Sequence, residues 1–199
     1  MYFAMIDRFY DSDGKDVSVV GASGPDGFGS TAQYEGGDIA GVEEKLGYLL
    51  DLGITALWLT APYENRDAPG AGMSSDDIHQ YSAYHGYWPA PANIDFSTDP
   101  PVPLPAVEDR IGSAADLKSL IQAAHASESA DGHGMKVLLD YVMNHIDIES
   151  GLYQAHPEWF YPTTEEYLCG NKGWGIDCTF TTYLPAFDFY NEYARAWSV

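Results

Sequence analysis

The chain has 199 residues, with 9 Lys and Arg against 30 Asp and Glu, a formal net charge of −21. Such a surface repels nucleic acid and anionic membranes, which excludes both as partners and leaves cations and neutral ligands such as sugars. With 15 Tyr, 8 Phe and 5 Trp, global disorder is excluded as well, and no apolar run approaches membrane-spanning length.

In chain order, Tyr2 to Ile6 reads as a short apolar strand leading into the acidic turn Asp11 to Asp16. A Gly- and Ser-rich loop, Gly21 to Gly37, follows. Ile39, Val42, Leu46, Leu49 and Leu50 then mark one helix, with Asp38 as its N-cap and Gly53 closing it. Ile54 to Leu59 is a second strand. From Thr60 to Gly112 runs a loop much longer than ordinary connections, rich in Pro, Tyr and Asp, and loops of that length tend to carry function. Ser113 to Ala126 reads as a helix: Ser113 and Asp116 form a capping-box pattern, and Leu117, Leu120, Ile121 and Ala124 share one face. It feeds a third strand in Gly134 to His145, where Val137, Leu138 and Leu139 form the apolar run expected of a parallel strand covered on both faces. That strand ends in Asn144 and His145. In α/β barrels and open α/β sheets, function sits at the carboxyl ends of strands. From Ile146 to Tyr190 the periodicity stops, and the segment reads as an irregular insertion.

Cys169 and Cys178 match neither a redox CxxC nor a complete zinc site. The spacing leaves bridged and free states open; a bridge would imply an oxidising compartment. An extracellular or periplasmic location is expected, with any leader upstream of Met1.

Six segments, taken together, resemble the N-terminal part of the catalytic domain of α-amylase-type enzymes of glycoside hydrolase family 13. They are IDRF (Ile6 to Phe9), GGDIAGV (Gly36 to Val42), LGITALWLTAP (Leu52 to Pro62), AYHGYWP (Ala83 to Pro89), DYVMNH (Asp140 to His145) and LPAFD (Leu184 to Asp188). They stand in the family's order. The resemblance implies an α/β fold, a partial (β/α)8 TIM barrel made of the first three strands and two helices, with an irregular subdomain inserted after the third strand. The expected division is residues 1–145 in the barrel, 146–190 in the insertion and 191–199 returning to the barrel.

The resemblance assigns a sugar-binding role to Tyr87, which would stack on the sugar at the cleaved end, with Trp88 beside it. His145 would hydrogen-bond the same sugar. The chemistry agrees: aromatic rings offer flat surfaces to the apolar C–H faces of pyranoses, while the imidazole of His85 and Tyr hydroxyls meet sugar hydroxyls. Packing is the competing explanation for each aromatic. Asp140 reads as structural, holding the neighbouring loop by hydrogen bonds. Asn144 matches a family calcium ligand, but Ala186 stands where calcium-dependent members carry a carboxylate. A second calcium site is implied by Asp11, Asp13, Asp16, the Gly36 carbonyl and Asp38, an oxygen-rich set of the kind calcium requires; the alternative is a solvated acidic turn with Asp38 merely capping a helix. An EF-hand is excluded, because Ala22 stands where its terminal Glu belongs.

The implied activity is retaining cleavage of α-glucans such as starch and maltooligosaccharides, with a cyclodextrin glucanotransferase-like transglycosylase or a noncatalytic sugar-binding relative as alternatives. Retaining cleavage needs two carboxyl groups flanking the bond. The family places them after later strands, so the catalytic residues are expected beyond Val199 and these 199 residues alone are expected to be inactive. Calcium is the expected cofactor, and the full-length protein is expected to be a monomer.

Overall fold

A computed structural model describes residues 1–22, 32–72, 76–99, 101–104 and 106–197. The central part of the Gly- and Ser-rich loop, 23–31, and Val199 lie outside the described residues. The sheet at the centre has three parallel strands in the order β1 (Tyr2–Ala4), β2 (Ala56–Leu59), β7 (Lys136–Leu139). Its register sets Phe3, Trp58 and Leu138 side by side on one face, with Ala4, Leu59 and Leu139 on the other.

Helices cover one face because each connection carries an apolar stripe. Asp38 caps α2 (Ile39–Glu44) by accepting the Gly41 N–H, and Ile39 and Val42 are fully buried. Ser113 and Asp116 close a reciprocal capping box on α4 (Ala114–Ala126), which buries Leu120 and Ala124. These side chains pack with Ile6, Leu57, Leu59 and Met135 into the main core. A second core gathers Ile146, Leu152, Trp159, Phe160, Phe187 and Ala194 around α5 (Gly151–Ala155) and α6 (Glu192–Trp197).

Four local expectations are corrected. Ile6 is not in a strand: Ile6–Phe9 is a helical turn, α1, whose Ile6 N–H donates to Thr60 Oγ1 at 3.2 Å. The helix after Asp38 is interrupted at Lys45 (φ −95°, ψ 7°), so that α3 (Leu46–Asp51) starts afresh and still buries Leu46 and Leu49. Inside the long loop stand two small antiparallel ladders, β3 (Gly70–Ala71) with β4 (Gln80–Tyr81) and β5 (Ile94–Asp95) with β6 (Val102–Pro103). Two-residue strands leave no readable periodicity. Finally, β7 is not covered on both faces: Leu138, 43% exposed, lies with Phe3 on the face opposite the helix-packed core, and Leu139, 41% exposed, stands at the sheet's edge with β2 as its single neighbouring strand. The cysteine question also closes: Cys169 and Cys178 form a disulfide, with Cα atoms 4.9 Å apart.

Candidate functional site

The carboxyl ends of β2 and β7 converge on Asp140, the first residue after β7. Its Oδ1 accepts the Trp58 indole N–H at 2.7 Å and its Oδ2 accepts the Tyr87 hydroxyl at 2.6 Å. The Tyr63 hydroxyl donates to the Asp140 backbone carbonyl. One carboxylate therefore fixes a strand tryptophan and a loop tyrosine, in agreement with the structural role read from its position. Burial and the hydrogen bond to Asp140 push the Tyr87 hydroxyl well above its ordinary range, so it stays protonated and keeps donating.

The segment from Ala83 to Pro89 bends sharply at Gly86, whose φ is +84°. A Cβ there would collide with the Ala61 carbonyl oxygen. Left-handed backbone and close approach together require glycine at the centre of AYHGYW. Gly86→Ala is expected to destabilise the fold by about 2 kcal/mol or more, which urea unfolding would measure.

The turn sets His85 parallel to Tyr87, with ring centroids 5.6 Å apart and an angle of 15°, and edge-on to Trp88 at 4.9 Å. The Tyr87 amide donates to His85 Nδ1 at 2.9 Å. Nδ1 is thus the acceptor, and in the neutral ring the proton resides on Nε2, which becomes a donor. Burial, helped by the nearby His145 and Arg8 charges, lowers the His85 pKa to about 4. Unfolded His85 titrates near 6.5, so as pH falls from 6.5 to about 4 the unfolded chain takes up a proton that the fold refuses. This group's stabilising contribution is complete above 6.5 and declines through that window. NMR titration of the His85 ring is expected to give a midpoint near 4; a midpoint at the ordinary histidine value would contradict the burial and the tautomer.

Trp88 is anchored by its backbone N–H, which donates to Asn65 Oδ1 at 3.0 Å, and by an edge contact of its ring to Tyr183 at 5.1 Å. His145 is 7% exposed; its Nε2–H donates to the Tyr87 carbonyl at 2.9 Å, and its ring packs on Phe180. Its Nδ1, the acceptor in this tautomer, is buried without a hydrogen-bond partner among the described residues. Burial lowers its pKa too. Together with Tyr63, Tyr141 and Phe187 it borders an apolar cavity of about 170 Å³. The structure thus brings His85, Tyr87, Trp88 and His145 into one connected cluster.

Of the expected metal ligands, Asp11, Asp13 and Asp38 each place a carboxylate oxygen within 4.8 Å of the others. Gly36 (φ +88°) lies against them, a Cβ there being 3.0 Å from Asp11 Oδ2. Asp16 is not part of the group; its carboxylate accepts the Ser18 N–H at 3.0 Å. No other group of three or more His, Cys, Asp or Glu ligand atoms converges among the described residues, so none lies at Asn144. Its backbone carbonyl accepts the Phe187 N–H, and Ala186 pairs with His145 in an antiparallel bridge.

Several residues that shape the site had no local signal in the sequence. Arg66 reaches both oxygens of the buried Asp147, at 3.0 and 3.1 Å, and so ties the long loop to the insertion. Glu108, 3% exposed, accepts the Asn65 N–H and pairs with Arg110. Arg8 pairs with the buried Asp7 and lies 4.0 Å over the Tyr84 ring, next to His85. A buried carboxylate and its arginine 81 residues away are found only once the chain is folded.

The catalytic-domain model described as "Alpha amylase, catalytic domain" matches residues 3–173. The chain belongs to this family, the α-amylase-type glycoside hydrolases of family 13, and its three parallel strands and helices are part of that family's (β/α)8 barrel. It is 34% identical over 146 residues to a periplasmic α-amylase of Escherichia coli K12, covering 73% of this chain and 18% of that protein. It is also 30% identical over 145 residues to a cyclomaltodextrin glucanotransferase of Klebsiella oxytoca, again covering 73% of this chain and 18% of the relative. The structure of an acarbose-complexed α-amylase from Geobacillus thermoleovorans superposes with a TM-score of 0.60 at 29% identity, over 98% of this chain and 34% of that one. The chain thus spans about a fifth of the length of these curated relatives.

Proposed function

We propose that these residues form the sugar-binding side of an α-glucan-active enzyme with a retaining mechanism, acting on starch or maltooligosaccharides. The observation that carries the reading is the Tyr87 ring, backed on one face by His85 and fixed at its hydroxyl by Asp140. Its other face suits the apolar side of a pyranose, and the His85 Nε2–H is a donor for a sugar hydroxyl. Trp88 and His145 complete the subsite. On this reading the acid and nucleophile carboxyl groups of such cleavage are supplied by barrel strands other than these three; Asp140 is committed to Trp58 and Tyr87.

A transglycosylase is the second reading, favoured by the glucanotransferase relative at an identity close to that of the amylases. Calcium fits the Asp11, Asp13 and Asp38 group, whose hard carboxylate oxygens lie within 4.8 Å of one another and whose mutual repulsion a cation would relieve. It would supply structural support, holding the loop after α1 against the cap of α2. An oxidising location, extracellular or periplasmic, is supported by the Cys169–Cys178 disulfide. No helix among the described residues is long and apolar enough to cross a membrane.

Calorimetric titration with maltoheptaose tests the reading. Binding by the chain and its loss in Tyr87→Ala, with the fold retained by circular dichroism, is the expected result; absence of binding by the unmodified chain would refute it.

A further inference from the structure

We infer that Trp174, on the disulfide-closed loop Cys169–Cys178, is a second carbohydrate contact, a stacking platform for a pyranose ring of an α-glucan chain in addition to Tyr87. This rests on the α-glucan reading above and extends it to the insertion.

Of the five tryptophans, four have a ring partner. Trp58 meets Phe3 at 5.1 Å, Trp88 meets Tyr183 at 5.1 Å, Trp159 stacks on His156 at 4.3 Å and Trp197 stacks on Phe187 at 5.1 Å. Trp174 stands apart: it is 73% exposed and has neither a ring nor a cation partner among the described residues. Its neighbours are Gly173, at φ +103°, and Gly175. Neither supplies a side chain to cover the indole, and a Cβ built at Gly173 meets nothing within 4 Å.

The loop that carries this ring is held in several ways. Its two ends are joined by the disulfide, and Cys169 N–H donates to the Thr179 carbonyl at 2.8 Å. Cys178 and Thr179 are buried at its base. Across it, Lys172 pairs with Asp177 at 3.2 Å and lies 4.2 Å over the Tyr167 ring. An apolar ring exposed by an unfastened loop can fold back onto the protein; this loop is fastened at its ends and across its middle. Such preorganisation lowers the ordering cost of binding. The ligand chemistry follows from the surroundings. The flat face is apolar, the loop's Lys172 and Asp177 neutralise each other, and the net charge of −21 excludes polyanions. Asn171, Lys172 and Asp177 put polar side chains on the same short loop, Asn171 donating to the Glu165 carbonyl and Lys172 pairing with Asp177. A neutral ligand with one apolar face and a polar rim meets these conditions, and a pyranose is such a ligand.

The test is titration of the chain with maltoheptaose, followed by tryptophan fluorescence and by calorimetry, for the unmodified chain, Trp174→Ala, Trp174→Phe and Tyr87→Ala. Trp174→Ala is expected to weaken binding about three- to tenfold and to abolish a blue-shifted emission change, while Trp174→Phe retains most of the affinity. Thermal melting is expected to change little, since the ring is 73% exposed. Affinity equal to that of the unmodified chain in Trp174→Ala, with binding abolished in Tyr87→Ala, would overturn the inference and leave the Tyr87 subsite standing. A dimer that dissociates on Trp174→Ala would overturn it as well, by assigning the ring to a second copy. Failure of the unmodified chain to bind at all would instead remove the α-glucan reading itself.

Discussion

Asp140→Ala is expected to lower maltoheptaose affinity at least about tenfold and to destabilise the fold by about 1–3 kcal/mol. Both effects come from one carboxylate. Its removal leaves the Trp58 indole N–H without an acceptor and frees the Tyr87 hydroxyl, the two groups it accepts from at 2.7 and 2.6 Å. A platform that swings pays rotamer entropy on binding that a fixed ring does not. Tyr87→Phe separates the two contributions, because it keeps the ring and deletes only its bond to Asp140. It is expected to lose affinity with little change in stability. Urea unfolding and calorimetry on both variants provide the comparison. Unchanged affinity in Asp140→Ala would mean that Tyr87 is held by packing alone.

Calcium is expected to raise the melting temperature by roughly 5–10 °C once in hundredfold excess over its dissociation constant, and a chelator to reverse the shift. Asp11→Asn and Asp13→Asn are the informative variants. Each removes a charge from the group while leaving the helix cap alone, whereas Asp38 also accepts from the Gly41 N–H and from Ser12. Loss of the calcium shift in both variants is the expected outcome. A shift that survives both would place the cation elsewhere, and no shift in the unmodified chain would reduce the group to a solvated turn.

What the sequence disclosed follows from range. The capping box at Ser113, the apolar stripe of α4 and the strand before Asp140 are written in neighbours a few residues apart, and they stand where expected. The Asp38 cap was legible for the same reason. The AYHGYW string marked the site, and its glycine proved necessary for the turn. By contrast, the convergence of Trp58, Tyr63 and Tyr87 on Asp140 joins residues 82, 77 and 53 positions apart, which no local pattern encodes. The same holds for Arg66 and Asp147. Exposure on β7 departs from the sequence expectation, because an apolar run reports that a strand wants cover and not whether a neighbour supplies it. Trp174 carries no signal in the sequence, since an exposed indole and a buried one have the same letter; its exposure and the missing ring partner distinguish it.

The acarbose complex of this chain, determined crystallographically, is the most direct measurement of the central claim. A sugar ring lying on the Tyr87 face opposite His85, with a hydroxyl on His85 Nε2, is the expected result. Acarbose bound elsewhere, or a Tyr87 ring covered by protein on both faces, would contradict it.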